Sequence, residues 1–313
     1  MISLPDWLAD SSSNLYLGAY LLIEQVKRLV PDWLADSSGK LNIGPWAKTG
    51  VDWLTNNGEW FFDLLSYSLD RVIKALLYVL QAPPPIAVII AIAALAYWLR
   101  RSIAITLFTF VGLLLIMNQG YFKETMETLA LVLAATAVSM LLGIPLGIAA
   151  ARRAWVYAGM RPVLDLMQTI PTFVYLIPAL ILFGLGMVPG LIATVIFAIP
   201  APIRLTRLGI ISTPPALVEA AIAFGATPTQ VLRKVELPFA MPQIMAGLTQ
   251  TIMLSLSMVV IAALVGASGL GVPVVRALNT VNIAKGFEAG LCIVILAIIL
   301  DRMFRSSESG DDA

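Results

Sequence analysis

Two short stretches of this chain carry residues that could act on a partner or a passing solute. One is Val218–Pro238, VEAAIAFGATPTQVLRKVELP, where Glu219-Ala220-Ala221 is followed by Gly225 and then by Val235, Leu237 and Pro238. The other is Thr249, Gln250, Thr251, Ser255 and Ser257, uncharged amide and hydroxyl groups set into an apolar run. Neither has the composition for bond chemistry. The chain has no histidine and one cysteine, so the usual metal clusters and histidine-dependent nucleophile arrangements cannot be assembled. No catalytic residue, no metal ligand and no directly bound cofactor are therefore expected. The nucleotide-cradling pattern G-x4-G-K-[ST] does not occur, and Gly266-Ala-Ser-Gly-Leu-Gly271 follows no strand and reads as a turn. Cys292, in an apolar run, reads as a buried inert thiol.

What the first stretch can do is mechanical. Ser212-Thr213-Pro214-Pro215 offers a capping hydroxyl and prolines suited to a first helical turn, which predicts a short helix over Pro215–Phe224. Glu219 would then lie near the positive end of its dipole. Ala220, Ala221 and Ala223 give that helix a slim surface, and Gly225 should end it in a left-handed cap. Thr227-Pro228 should start a second helix, with Arg233 and Lys234 at the membrane face before Pro238 admits the next span. The result is either a rigid knob offered to another protein or a hairpin that merely connects spans.

The second stretch suits a path that passes a cation or zwitterion without trapping it. Hydroxyl residues also serve as interhelical glue. Pro171, Pro178, Pro200 and Pro202 interrupt helices where a freed carbonyl must face protein or a water-filled cavity. Phe173, Tyr175, Phe183 and Phe197 are the aromatic residues available for a cation cage. Gly143-x3-Gly147 reads as a close-packing site.

The elements that hold these residues must lie in lipid. Of the 313 residues, 59% are hydrophobic and 12% charged, against roughly 45–50% and about 25% in a soluble domain. The net charge of +1 suggests no nucleic-acid partner. The chain is read as all-α, a polytopic membrane helix bundle of about seven transmembrane helices preceded by amphipathic helices. Spans are centred on 86–99, 103–117, 127–150, 170–184, 186–202, 243–266 and 287–303, with Gly184, Gly186, Pro189 and Gly190 as a turn between the fourth and fifth.

With that count, Arg100, Arg101, Arg152, Arg153, Arg161, Arg204, Arg207, Arg233, Lys234, Arg302 and Arg305 fall on one side. Lys123, Arg276 and Lys285 fall on the other. Positive residues gather in the cytoplasm, so the amino terminus is expected outside and the carboxyl terminus inside.

The expected organisation is an extension over 1–58, an amphipathic interfacial helix over 59–82, a transmembrane domain over 83–305 with a cytoplasmic loop at 204–242, and a polar tail at 306–313. The extension carries PDWLADSS twice, at Pro5–Ser12 and Pro31–Ser38. Its first residues, MISLPDWLAD, do not read as a signal peptide.

The spacing E-A-A-x3-G-x9-I-x-L-P, met by Glu219, Ala220, Ala221, Gly225, Leu237 and Pro238 with Val235 in place of isoleucine, resembles permeases of binding-protein-dependent ABC importers. From Trp60 to Arg305 the chain is similar to the glycine betaine, proline betaine and choline uptake group. The similarity runs through QTIPTFVYLIPALILFGLG at Gln168–Gly186, PAPIRLTRLGI at Pro200–Ile210 and VGASGLGVPVVRAL at Val265–Leu278.

The resemblance implies a type I permease fold in the inner (plasma) membrane, whose short helix docks in a groove of an ATP-binding subunit. It also implies two copies of that subunit, ATP used there and not in this chain, an external periplasmic substrate-binding protein, and a homodimer of the permease. The rival readings are an ion-gradient-driven secondary transporter, an osmotically gated channel and a membrane enzyme. The acids Asp165 and Asp301 sit only near span ends, whereas a gradient-driven carrier would want acids within the membrane.

Overall fold

A computed structural model of the chain describes residues 43–305 together with Gln25. The two octets and the tail at 306–313 lie outside the described residues. The chain divides into two units, Met1–Asn57 and Gly58–Ala313. Of the first, residues 43–57 are helical, with Trp46 and Trp53 exposed.

Among the described residues every element is helical. The order is α1 (Ile43–Gln81), α2 (Pro85–Arg100), α3 (Ile103–Asn118), α4 (Phe122–Arg152), α5 (Ala154–Thr169), α6 (Thr172–Phe183), α7 (Met187–Ala198) and α8 (Pro200–Ile211). Then come α9 (Pro215–Ala223), α10 (Pro228–Val231), a π-helical turn (Leu232–Glu236), α11 (Leu237–Ala263), α12 (Gly271–Asn279) and α13 (Ile283–Phe304).

Helices occur at all seven expected places, but not all are full crossings. Four runs are long and apolar enough by themselves: α4, α7 with α8, the run Pro228–Ala263, and α13; two sharply bent pairs raise the number to six. The spans expected at 86–99, 103–117 and 170–184 all fall short, α2 and α6 qualifying only as halves of bent pairs and α3 having 16 residues, and the one at 170–184 is the shortest. Its helix, α6, has 12 residues and so reaches only ~18 Å into a hydrocarbon core of ~30 Å. Pro171 precedes it, and α5 meets it at 99°.

The seam of the second unit is α8 wedged between α4 and α11. A Cβ added at Gly143 would lie 2.7 Å from Pro202 Cγ, and one at Gly147 would lie 2.7 Å from Thr206 Cβ and 2.8 Å from the Ile203 carbonyl. At Gly209 it would lie 2.9 Å from Ala240 Cβ. Backbones this close exclude any side chain larger than hydrogen, which is how glycine earns helix contact in lipid, where hydrophobic burial gives little drive. Beside the seam, Leu113, Ile116, Met126, Val132, Ile252, Leu256 and Leu296 join α3, α4, α11 and α13 in one buried cluster.

Hydrogen bonds sort the corners of the bundle into two ends. Arg100 donates to the Arg305 carbonyl, and Arg152 reaches the Pro228 carbonyl. At the other end Gly186 N–H donates to the Val265 carbonyl, Leu270 N–H to Thr128 Oγ1, and the Gln81 side chain to the Lys123 carbonyl.

The part of α1 from Gly58 onward lies along this second end. Its stripe of Leu69, Ile73, Leu76 and Leu77 packs on Leu131, Val188, Leu191 and Ala267, and the Phe62 ring meets Phe183 edge-on at 5.5 Å. Its other face keeps Asp63, Arg71 and Lys74 in the open, the last ion-paired with Asp70 at 2.6 Å. That outer face also exposes Phe61, Leu64, Tyr67, Val72, Tyr78 and Val79 among the charges.

Candidate functional site

The expected knob forms at the first end. Helix α9 has no buried residue, and Leu217, Ile222 and Phe224 stand 48%, 58% and 94% exposed. Glu219 and Ala220 are exposed beside them and Ala221 is half-buried. Gly225 takes φ +79°, with its N–H on the Ile222 carbonyl and the Ala226 N–H on the Ala221 carbonyl. This pair of bonds is a Schellman cap. A Cβ at Gly225 would meet nothing within 4 Å, so the demand for glycine is purely conformational.

Two local expectations are corrected. No side chain caps α9 at its start: the N-cap is Pro214, Ser212 Oγ donates back to the Leu208 carbonyl at 2.7 Å, and the buried Thr213 hydroxyl has no partner. A helical hydroxyl satisfied four residues back is unavailable as a cap. Glu219 sits mid-helix, and the first turn holds no acid, so the dipole does little for it.

The second half of the hairpin starts as predicted. Thr227 Oγ1 accepts from Gln230 N–H while Gln230 Oε1 accepts from Thr227 N–H, a complete capping box. The helix then widens into the π-turn Leu232–Glu236, which the sequence does not announce. Leu237 packs with Ile210, Ala240 and Ile244, and Pro238 occupies the first turn of α11, where a missing N–H costs nothing. At the π-turn, Glu236 receives Arg152 at 2.8 Å, and the same guanidinium donates to the Pro228 carbonyl at 3.1 Å. Arg152, the last residue of α4, thus clasps both ends of the knob's second helix. Sequence reasoning missed this clasp; the only hint was Glu236 as a lone acid beside two bases.

A second polar tether binds α5 to α8. Arg204 reaches Asp165 at 2.6 Å and Gln168 at 3.0 Å, and the Arg207 guanidinium lies 3.6 Å from the centre of the Tyr157 ring.

The candidate path residues do not gather. Gln250 and Ser257 share the exposed face of α11, and Gln250 lines a cleft of about 510 Å³ with Gln243, Thr249, Asp301 and Arg305. Thr251 and Ser255 are on the opposite, buried face, Thr251 bonded to the Gly247 carbonyl and Ser255 without a partner. The four cage candidates scatter as well: Phe173 is exposed, Phe183 packs on Phe62, and Tyr175 and Phe197 lie in a third cluster around Met258.

At the end opposite the knob lies a larger cleft of about 670 Å³. Lys123, Arg276 and Lys285, the three basic residues that the sequence sets apart from the other eleven, all line it. No group of three or more potential metal ligands occurs among the described residues.

Residues 143–310 match the family described as binding-protein-dependent transport system inner membrane component. This chain belongs to that family. It is thus a multi-pass inner-membrane component, a transport permease subunit that works with ATP-binding and substrate-binding partners. It is 48% identical over 253 residues to the glycine betaine transport system permease protein OpuAB of Bacillus subtilis, covering 81% of this chain and 89% of that one. It is 46% identical to the glycine betaine/carnitine transport permease protein GbuB of Listeria monocytogenes, covering 82% and 92%. It is also 44% identical to the glycine betaine/proline betaine transport system permease protein ProW of Escherichia coli, covering 82% and 73%. Among solved structures, the inward-facing MetNI methionine ABC transporter aligns with a TM-score of 0.52 at 24% identity, over 56% of this chain and 88% of that one. That likeness shows the fold, the type I importer permease.

Proposed function

We propose that this chain translocates a quaternary-ammonium osmolyte (glycine betaine, proline betaine or choline) for an ATP-driven importer, taking it from an external binding protein. The observation that carries the coupling half of this reading is the knob. It is pre-shaped by a Schellman cap and a capping box, clasped to α4 by Arg152, and apolar toward empty space at Leu217, Ile222 and Phe224. An unpartnered apolar helix on so rigid a mount suits a groove on another protein. The assigned contacts are Glu219, Ala220, Ala221 and Gly225, with Leu237 and Pro238 fixing the knob to α11. The substrate class is supported by the relatives, which are glycine betaine, glycine betaine/carnitine and glycine betaine/proline betaine permeases.

One chain offers one knob, so two copies of the permease facing two ATP-binding subunits make the complete assembly. This chain binds no cofactor itself, and ATP is hydrolysed in the partner. The knob end carries the basic excess, which favours the cytoplasmic side for it, with the amino terminus outside and the carboxyl terminus inside. ATP-driven closure of the partner would bias the bundle between inward- and outward-facing packings. On α11, Gln250 and Ser257 are the path candidates that remain open to a solute, whereas Thr251 and Ser255 serve helix packing.

The deciding experiment is uptake of labelled glycine betaine and choline by vesicles holding this chain, its ATP-binding subunit and its binding protein. Uptake that needs ATP and all three components is expected. ATP-independent flux through this chain alone would sink the reading in favour of a channel or a gradient-driven carrier.

A further inference from the structure

The cleft opposite the knob gathers two acids and three bases in its lining. It is enclosed by the start of α4, the turn before α12, α12 itself and the start of α13. Glu124 and Glu127 line it from one face of α4, three residues apart, and Lys123, Arg276 and Lys285 line it from three different elements. Among the described residues none of these five forms an ion pair within 4.0 Å. Arg152, Arg161 and Arg204 toward the knob end, and Lys74 on α1, have each found a carboxylate. Moreover, Glu124 Oε2 is shut off from solvent and accepts no hydrogen bond. A desolvated carboxylate oxygen with no donor is unfavourable by itself, and no described residue meets Glu124 with an ion pair.

Resting on the permease reading above, we infer that this cleft is a receiving site for a small zwitterion, holding its cationic end at Glu124 and Glu127 and its carboxylate at Arg276 and Lys285. The Tyr121 ring, also in the lining, offers a face to an alkylated ammonium. The balance of charge selects the ligand class. A bare cation would gain the two acids but face three bases in the same space, and a bare anion would face the two acids. Only a solute carrying both signs meets both the acids of α4 and the bases of α12 and α13, so the site favours betaines over choline. The cleft opens at the end away from the ATP-binding partner, where a solute released by an external binding protein would arrive first.

The test is equilibrium binding of labelled glycine betaine and choline to the full-length permease with its ATP-binding subunit in lipid nanodiscs, without the binding protein. Saturable glycine betaine binding is expected, about tenfold weaker for choline, and about tenfold weaker for glycine betaine in Glu124→Gln and in Arg276→Gln, the loss of one charge-assisted contact. Because Glu124 Oε2 has no partner, Glu124→Gln should fold and insert normally; Glu127→Gln serves as a second variant from the same wall. Absent binding in the wild-type complex, equal binding of choline, or unchanged binding in both glutamine variants would overturn the site. Loss of binding-protein docking in Glu124→Gln with ligand binding intact would also overturn it, turning the cleft into a docking surface. ATP-driven uptake by the complete system, measured in parallel, separates the two readings: uptake without cleft binding removes only this site, and its failure removes the importer itself.

Discussion

The α4–α8–α11 seam and the α9 knob are built from the same small residues and use them in opposite ways. In the seam, Gly143, Gly147 and Gly209 are small because another helix already occupies the space a side chain would need. In the knob, Ala220 and Gly225 are small and exposed, Ala221 is only half-buried, and Gly225 has open space around it. One region uses its small residues for folding, whereas the other leaves its face open, as the proposed docking requires. Small residues alone therefore do not mark a contact as internal or external; the position of the next backbone does.

The comparison breaks most sharply at Gly225. Gly225→Val puts a β-branched residue at φ +79°, at a cost of about 1–2 kcal/mol, or roughly five- to thirtyfold in population of the cap. Uptake should collapse while insertion and thermal stability of the bundle stay near wild type, and Gly225→Asn, which tolerates that backbone, should recover most of the uptake. Equal stability loss in both variants, or wild-type uptake in Gly225→Val, would mean that the knob is only a connector.

Next is the clasp. Glu236→Gln removes an ion pair that is partly exposed on the arginine side, worth about 1 kcal/mol. It should lower uptake more than it lowers ATP hydrolysis, because the knob still docks but no longer moves with α4. The exchanged pair Arg152→Glu with Glu236→Arg should restore part of the coupling ratio, an outcome that a simple stability defect does not produce.

The smallest effect on transport per inserted molecule belongs to the seam. Gly147→Ala forces a methyl against Thr206 Cβ and the Ile203 carbonyl and should destabilise the bundle by about 2 kcal/mol. Detergent-melting temperature should fall, and uptake should fall only in proportion to the amount of folded protein. A specific transport defect at normal stability would place the seam in the mechanism and erase the contrast.

Much of this was legible in advance because it is local. The Gly225 cap, the Thr227 start and the Gly143/Gly147 contact follow from residue types within one or two turns, and the sorting of charges follows from counting spans. What failed was also local reading carried too far. Ser212 and Thr213 looked like caps, but a preceding helix had already claimed Ser212. The polar run on α11 looked like one path, yet a helical period sends Thr251 and Ser255 inward and Gln250 and Ser257 outward.

The sequence by itself determined the membrane class, the all-helical bundle, the knob and the family, since apolar length and the spacing of Glu219, Gly225 and Pro238 are properties of contiguous residues. Only the tertiary structure decided that Arg152 meets Glu236 across 84 positions, that α6 is half a span bent onto α5, and that Lys123, Arg276 and Lys285 share a cleft with Glu124 and Glu127. The physical reason is the same for all three: a charge's partner, or its lack of one, depends on which helix ends the packed bundle brings together. No stretch of sequence contains that information.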